Sequence, residues 1–146
     1  MSYAVDTNVL ARTVHKDHAL QQTAIDAIDR LLDRGEKVFV LAQSLYEFWV
    51  IATRPVEANG FGMIVAEVET KIADFETLLI LKTDRAAIYA DWKRLVMRHA
   101  VMGKPAHDAR LVAAMKVHGI THLLTFNGGD FKRFQGITVV SPTEVQ

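Results

Sequence analysis

The chain has 146 residues, 50% hydrophobic and 23% charged, enough apolar material for one packed core and too much for a disordered chain, so a single domain spanning 1–146 is expected. It has no cysteine, which excludes a disulfide framework, a thiolate metal site and a cysteine nucleophile. Its net charge of zero does not fit a generally basic nucleic-acid binder, and with neither an apolar leader nor a run of about 18 uncharged apolar residues, the expectation is a soluble, cytoplasmic protein without a membrane partner.

Short β-branched runs alternate with segments of helical period, the pattern of an α/β fold around a parallel sheet. Tyr3 to Val5 reads as the first strand. From Ala19 to Arg34 the spacing of Leu20, Ala24, Ile28 and Leu31 predicts a helix, with Gly35 placed to end it. Val38 to Leu41 reads as the second strand, followed by a helix from about Ser44 that stops at Pro55. Asn59-Gly60 is expected to open another helix, with Phe61, Ile64, Val68, Ile72 and Phe75 on one stripe. Leu78 to Leu81 is the third strand. Thr83-Asp84 begins a long helix with Ile88, Trp92, Leu95 and Val96 inward. After a break at Gly103-Lys104-Pro105, a helix runs from about His107 to His118. Ile120 to Thr125 and Ile137 to Val140 supply strands four and five. The strands are nearly uninterrupted apolar runs, as expected where helices cover both faces of a sheet.

The informative residues are acids at element boundaries. Asp6 follows the first strand in Asp6-Thr7-Asn8. Glu47 is expected in the first turn of the helix after strand two, Asp108 opens the helix after Pro105, and Asp130 follows strand four. Ligands of an open parallel sheet bind outside the carboxyl ends of its strands, which is where Asp6, Glu47 and Asp130 fall. Four carboxylates in one pocket repel unless a cation lies among them, and an oxygen-lined site suits Mg²⁺ or Mn²⁺. Each acid also has a plainer role open to it. Asp6 can cap the turn at Thr7 and Asn8, Ser44 and Glu47 can form a capping box, Asp108 can complement a helix dipole, and Asp130 can stabilise the turn after Gly128-Gly129. Capping alone, however, does not require the acids to share one sheet edge.

These segments, Asp6-Thr7-Asn8, Glu47, His107-Asp108 and Thr125-Phe126-Asn127 with Asp130, resemble in order and interval the PIN-domain nucleases, and among them the VapC-type toxins of toxin–antitoxin modules. The resemblance covers essentially the whole chain. It implies a three-layer sandwich with a central, mainly parallel five-stranded sheet, Mg²⁺- or Mn²⁺-dependent cleavage of RNA, homodimerisation and inhibition by a cognate antitoxin. The family's metal-binding set falls on Asp6, Glu47, Asp108 and Asp130, with Asn127 secondary. Asp6 and Asp108 are read as the main direct ligands and Asp130 as a ligand or water-mediated partner. Glu47 is left open between ligand and general base. Thr7 and Asn8 are expected to orient these groups through hydrogen bonds.

Charge is unevenly spread along the chain. Up to Trp92 there are 9 Lys or Arg against 14 Asp or Glu, and from Lys93 onward 8 against 3. Contacts to RNA phosphates are therefore expected from Arg94, Arg98, Lys104, Arg110, Lys132 and Arg133. Phe48, Trp49, Phe61 and Trp92 follow apolar helical spacing and are read as core or dimer interface, not as base-stacking platforms. Two phosphoryl-transfer alternatives fit poorly. A haloacid-dehalogenase-like phosphatase needs an Asp where Asn8 stands, and a receiver domain needs a lysine after strand five, where Ser141-Pro142 stands. The remaining alternatives are RNA processing outside a toxin–antitoxin pair, and a PIN-like fold kept for protein binding.

Overall fold

The computed structural model describes residues 1–146. Five strands, β1 (Ser2–Val5), β2 (Lys37–Leu41), β3 (Ile80–Lys82), β4 (His122–Leu124) and β5 (Thr138–Val140), form one sheet in the order β3-β2-β1-β4-β5. Every neighbouring pair is parallel. Six helices accompany them: α1 (Thr7–Val14), α2 (Gln21–Asp33), α3 (Ala42–Thr53), α4 (Val65–Leu78), α5 (Ala86–Arg98) and α6 (Pro105–Val117). None is long and apolar enough to cross a membrane.

Alternation along the strands divides the core into two layers, because successive side chains point to opposite faces of the sheet. Tyr3, Val5, Val38, Val40 and Leu124 pack with residues of α1 to α4, among them Leu10, Ile28, Phe48 and Phe75. Ala4, Phe39, Leu41 and Leu123 pack with Ile88 and Leu95 of α5 and with Leu111, Val112 and Met115 of α6. The result is the expected three-layer α/β sandwich. From β1 the chain moves outward through β2 to β3, then returns to pair β4 on the other side of β1. The crevice at the carboxyl ends of β1 and β4 is thus the point where strand order reverses, the place such sheets bind ligands.

Several boundaries differ from the sequence reading for identifiable reasons. Helix α1 was not anticipated; it has only 8 residues, and its β-branched Thr7, Val9, Thr13 and Val14 make it a poor helix by propensity alone. It stands because Asp6 caps it and because Val9 and Leu10 are fully buried. Helix α3 starts at Ala42, directly after β2, with no side-chain cap. Ser44 is therefore inside the helix, its hydroxyl buried without a partner, and the capping box is not formed. Glu47 consequently lies in the second turn of α3. Helix α4 starts at Val65 instead of at Asn59-Gly60, since that stretch is folded back on the end of α3: Gly60 donates to the Pro55 carbonyl and Phe61 to that of Ile51. Helix α6 begins two residues before His107, with Pro105 in the first turn, where a missing N–H costs nothing.

Candidate active site

The site is built outward from Asp6. β1 ends at Val5, the Asp6 amide donates to the Leu124 carbonyl at 3.0 Å, and the side chain turns back to accept from the Thr7 amide at 2.8 Å as the cap of α1. Its other carboxylate oxygen, Oδ2, accepts from the Thr125 hydroxyl at 2.8 Å and from Asn8 Nδ2 at 3.3 Å. Asp6 is thereby 8% exposed, a buried carboxylate at the switch point. The capping role and the site role belong to the same side chain.

Thr125 and Asn8 interlock the ends of β1 and β4. Asn8 Nδ2 also donates to Thr125 Oγ1 at 3.0 Å, and Asn8 Oδ1 accepts from the Phe126 amide at 3.1 Å. The Asn127 amide donates to Thr125 Oγ1 at 3.0 Å, so Asn127 takes part through its backbone. Thr125 was quoted in the sequence pattern but not expected to be a site residue. Its signal was a hydroxyl at the carboxyl end of the predicted strand, directly after Leu123-Leu124, and it is 1% exposed.

Glu47 joins from α3. Its Oε1 accepts from Thr7 Oγ1 at 3.3 Å and from Gln43 Nε2 at 3.4 Å. Gln43, one turn earlier and buried, also reaches the His107 carbonyl at 2.9 Å and accepts from Arg110 Nη1 at 2.8 Å. It ties α3 to the start of α6. Nothing in the sequence marked Gln43, because the predicted helix begins at about Ser44 and leaves it as a lone polar residue in the link from strand two.

Asp108 stands in the first turn of α6 and its side chain takes no hydrogen bond from the protein. Asp130 lies in the short 3₁₀ turn Gly128–Phe131, which buried Phe131 anchors to the α6 side of the sheet. Electrostatics shows which acids face one another. Burial pushes the Asp6 carboxyl up to about 6, against the hydrogen bonds from Thr125 and Thr7, with the charges of Glu47 and Asp108 adding to the rise. Burial also raises Asp108, helped by the charges of Asp130 and Glu47 and opposed by His107 and Arg133. The four acids are thus one repelling set, although as placed no three of the chain's His, Asp and Glu side chains are grouped closely enough to hold an ion.

The basic residues divide. Arg133 acts on Asp108. Arg110 is half-buried and engaged by Asp84 at 3.0 Å as well as by Gln43. Arg94 pairs with Asp91 on α5, and with Arg98 it lines a cavity beside Lys93 and Lys116 that none of the four acids borders. Lys104 precedes α6 and Lys132 follows the Asp130 turn.

The sequence matches the PIN domain model over residues 3–137. The chain belongs to the PIN-domain family. No curated protein gives a significant sequence match. Among solved structures, this PIN domain superposes on VapBC2 from Rickettsia felis bound to a promoter DNA fragment, with a TM-score of 0.69 and 14% identity over 97% of this chain and 98% of that one. It superposes on VapC20 of Mycobacterium tuberculosis, a toxin that cleaves the sarcin-ricin loop, with a TM-score of 0.65 and 20% identity over 90% and 94%. FitAcB from Neisseria gonorrhoeae gives 0.66 and 19% over 97% and 98%. At these identities the likeness is one of fold.

Proposed function

We propose that this PIN domain is a divalent-metal-dependent ribonuclease and the growth-inhibiting toxin of a toxin–antitoxin pair. The observation that carries the reading is buried Asp6 at the switch point, held by Thr7, Thr125 and Asn8 and electrostatically joined to Glu47 and Asp108, with Asp130 acting on Asp108. A buried carboxylate among like charges is costly, and the arrangement is explained if a cation offsets it. The donors are all hard oxygens, and an open set suits an ion such as Mg²⁺ or Mn²⁺ that is held by one or two carboxylates and keeps water and phosphate as its other partners. Asp6 and Asp108 would hold it directly, with Asp130 at its edge. When bound, the cation supplies charge stabilisation for phosphodiester hydrolysis.

The chain's own residues do the rest. Thr125 and Thr7 aim the two oxygens of Asp6 and favour its ionised form. Gln43 and Thr7 hydrogen-bond to the Glu47 carboxylate, which would accept a proton from an attacking water or join the cation's ligands. Lys104, Lys132 and Arg133, which flank the elements carrying Asp108 and Asp130, would hold the RNA backbone. A cognate antitoxin and a second copy of the chain are part of the proposal, supported by a toxin–antitoxin complex from Klebsiella pneumoniae among its structural neighbours and by exposed Tyr46, Trp49 and Val50 at helical spacing on α3. Its action would be in the cytoplasm, where RNA is met. Incubation of the purified chain with total RNA and Mg²⁺ or Mn²⁺ tests the reading: discrete cleavage that EDTA and Asp6→Asn both abolish is expected, and metal-independent cleavage or none would overturn it.

A further inference from the structure

A groove leads away from Asn8 on the side opposite the basic α5 and α6 face. Its first part, about 380 Å³, is lined by Asn8, Arg12, His15, Arg54, Asn59 and Phe61 among others, and by no carboxylate. A second cavity of about 610 Å³ shares His15, Gly60 and Phe61 with it and adds Lys16 and Lys71 against a single acid, Glu67. The groove is therefore cationic within the half of the chain whose total charge is negative.

Its two arginines are not satisfied by the protein. Arg54 is half-buried, its Nη2 donates to the Asn59 carbonyl at 3.2 Å, and its Nε is buried with no acceptor. Arg12 has only the His15 ring, 3.1 Å from its Nη1, and neither arginine has a salt-bridge partner. Only Arg54 Nε is a fully buried donor without an acceptor; both arginines are half-buried and carry a charge that no carboxylate of the protein offsets, which leaves their accessible N–H groups free to take an anion. Beside them lies an aromatic ledge, where the His15 ring is 4.7 Å from Phe61 and 4.7 Å from His18.

The groove wall is tied to the end of α3 by backbone hydrogen bonds. The Gly62 amide donates to the Arg54 carbonyl and that of Met63 to Ala52, and Gly60 is pressed so closely on Arg54 that a Cβ there would fall 1.9 Å from its carbonyl oxygen. Only glycine permits this turn, which holds Arg54 and Phe61 toward one another. Fixed cations next to flat ring faces are the combination that binds single-stranded nucleic acid, phosphates by charge and bases by stacking.

We propose that this groove is the path of the single-stranded RNA substrate, with Arg12 and Arg54 holding phosphates and His15 and Phe61 stacking a base, so that the strand enters the acid site past Asn8. The proposal rests on the ribonuclease reading; Phe61 packs partly against the core, as the sequence suggested, and would offer its remaining surface to a base, whereas Arg94 and Arg98, expected from the sequence to contact RNA, lie off this path. Binding of a fluorescently labelled, unstructured RNA of about 20 nucleotides, in EDTA and over a range of salt, tests it apart from cleavage. Arg12→Gln with Arg54→Gln should weaken binding about ten-fold or more and lower the slope of log affinity against log salt by roughly 1.4, about 0.7 per lost phosphate contact on a single strand. Arg54→Lys, which keeps the charge, should retain most of that slope, and separates charge from folding. Phe61→Leu should cost about five-fold in affinity with the slope unchanged, as expected for lost stacking. Arg94→Gln with Arg98→Gln should leave binding near wild type. A chain that cleaves RNA with metal yet keeps its salt slope without Arg12 and Arg54 would overturn the groove and leave the ribonuclease reading standing. A chain that neither cleaves nor binds RNA would overturn both.

Discussion

The Thr125 hydroxyl donates to Asp6 Oδ2 at 2.8 Å across 119 residues of sequence. That bond joins the carboxyl ends of β1 and β4, and it opposes the burial that raises the Asp6 carboxyl. Thr125→Ala should therefore raise Asp6 further and leave its Oδ2 held only by the longer bond from Asn8. Groups that orient a metal-binding carboxylate typically matter by about 10- to 100-fold in metal affinity or activity. The expected result is a drop in that range, with the acidic limb of the pH–rate profile displaced upward; Thr125→Ser should restore both.

Asp6→Asn should reduce RNA cleavage by about a hundred-fold or more, since the charge that stabilises phosphodiester hydrolysis is worth several kcal/mol. Expression of wild type should slow bacterial growth and that of the variant should not. Equal toxicity of the two would contradict the assignment of Asp6.

The same substitution has a consequence for stability. With the Asp6 carboxyl at about 6 in the folded chain and 3.8 ordinarily, the folded state keeps a proton between those values that the unfolded state has released. Stability then falls as pH rises from about 4 to about 6 and stays lower above, by up to ~3 kcal/mol. Asp6→Asn lacks this titration. Denaturant melts in EDTA at about pH 4 and about pH 7 should show wild type losing more stability than the variant over that interval.

Asp108→Asn should be neutral or stabilising in EDTA at neutral pH. Its position in the first turn of α6 favours a negative charge by about 0.3 to 1 kcal/mol, but burial and the charges of Asp130 and Glu47 act the other way and prevail. Millimolar Mg²⁺ or Mn²⁺ should raise the melting temperature of wild type, because a ligand of the folded state stabilises it by mass action, and should do so much less for the variant. Destabilisation in EDTA with equal metal shifts would make Asp108 a helix cap only.

Ser44→Ala should be neutral or stabilising by about 1 kcal/mol, because it removes a buried hydroxyl without a partner from inside α3 and replaces it by a better helix former. A loss of about 1 kcal/mol is what an N-cap serine would give, so thermal melts distinguish the two roles.

The parallel sheet, the number of its strands and the acids at its edge were legible in the sequence because each rests on local pattern: apolar runs of strand length, helical periods between them, and a charged residue where a strand ends. Asp6 and Asp130 needed no more than that. Local pattern misled where tertiary contacts outweigh it. Ser44 and Glu47 have the spacing of a capping box, yet α3 starts at Ala42 because β2 runs straight into it. Asn59-Gly60 looks like a helix start, but its amides are spent on the Val56 and Pro55 carbonyls of the turn after α3. Helix α1 is too short and β-branched to announce itself, and packing of Val9 and Leu10 holds it. Which acids repel one another, and that Thr125 and Gln43 hold two of them, depends on β4 lying beside β1 and on α6 beginning next to α3. Those neighbours lie 64 or more residues apart in sequence, and only folding brings them to hydrogen-bonding distance.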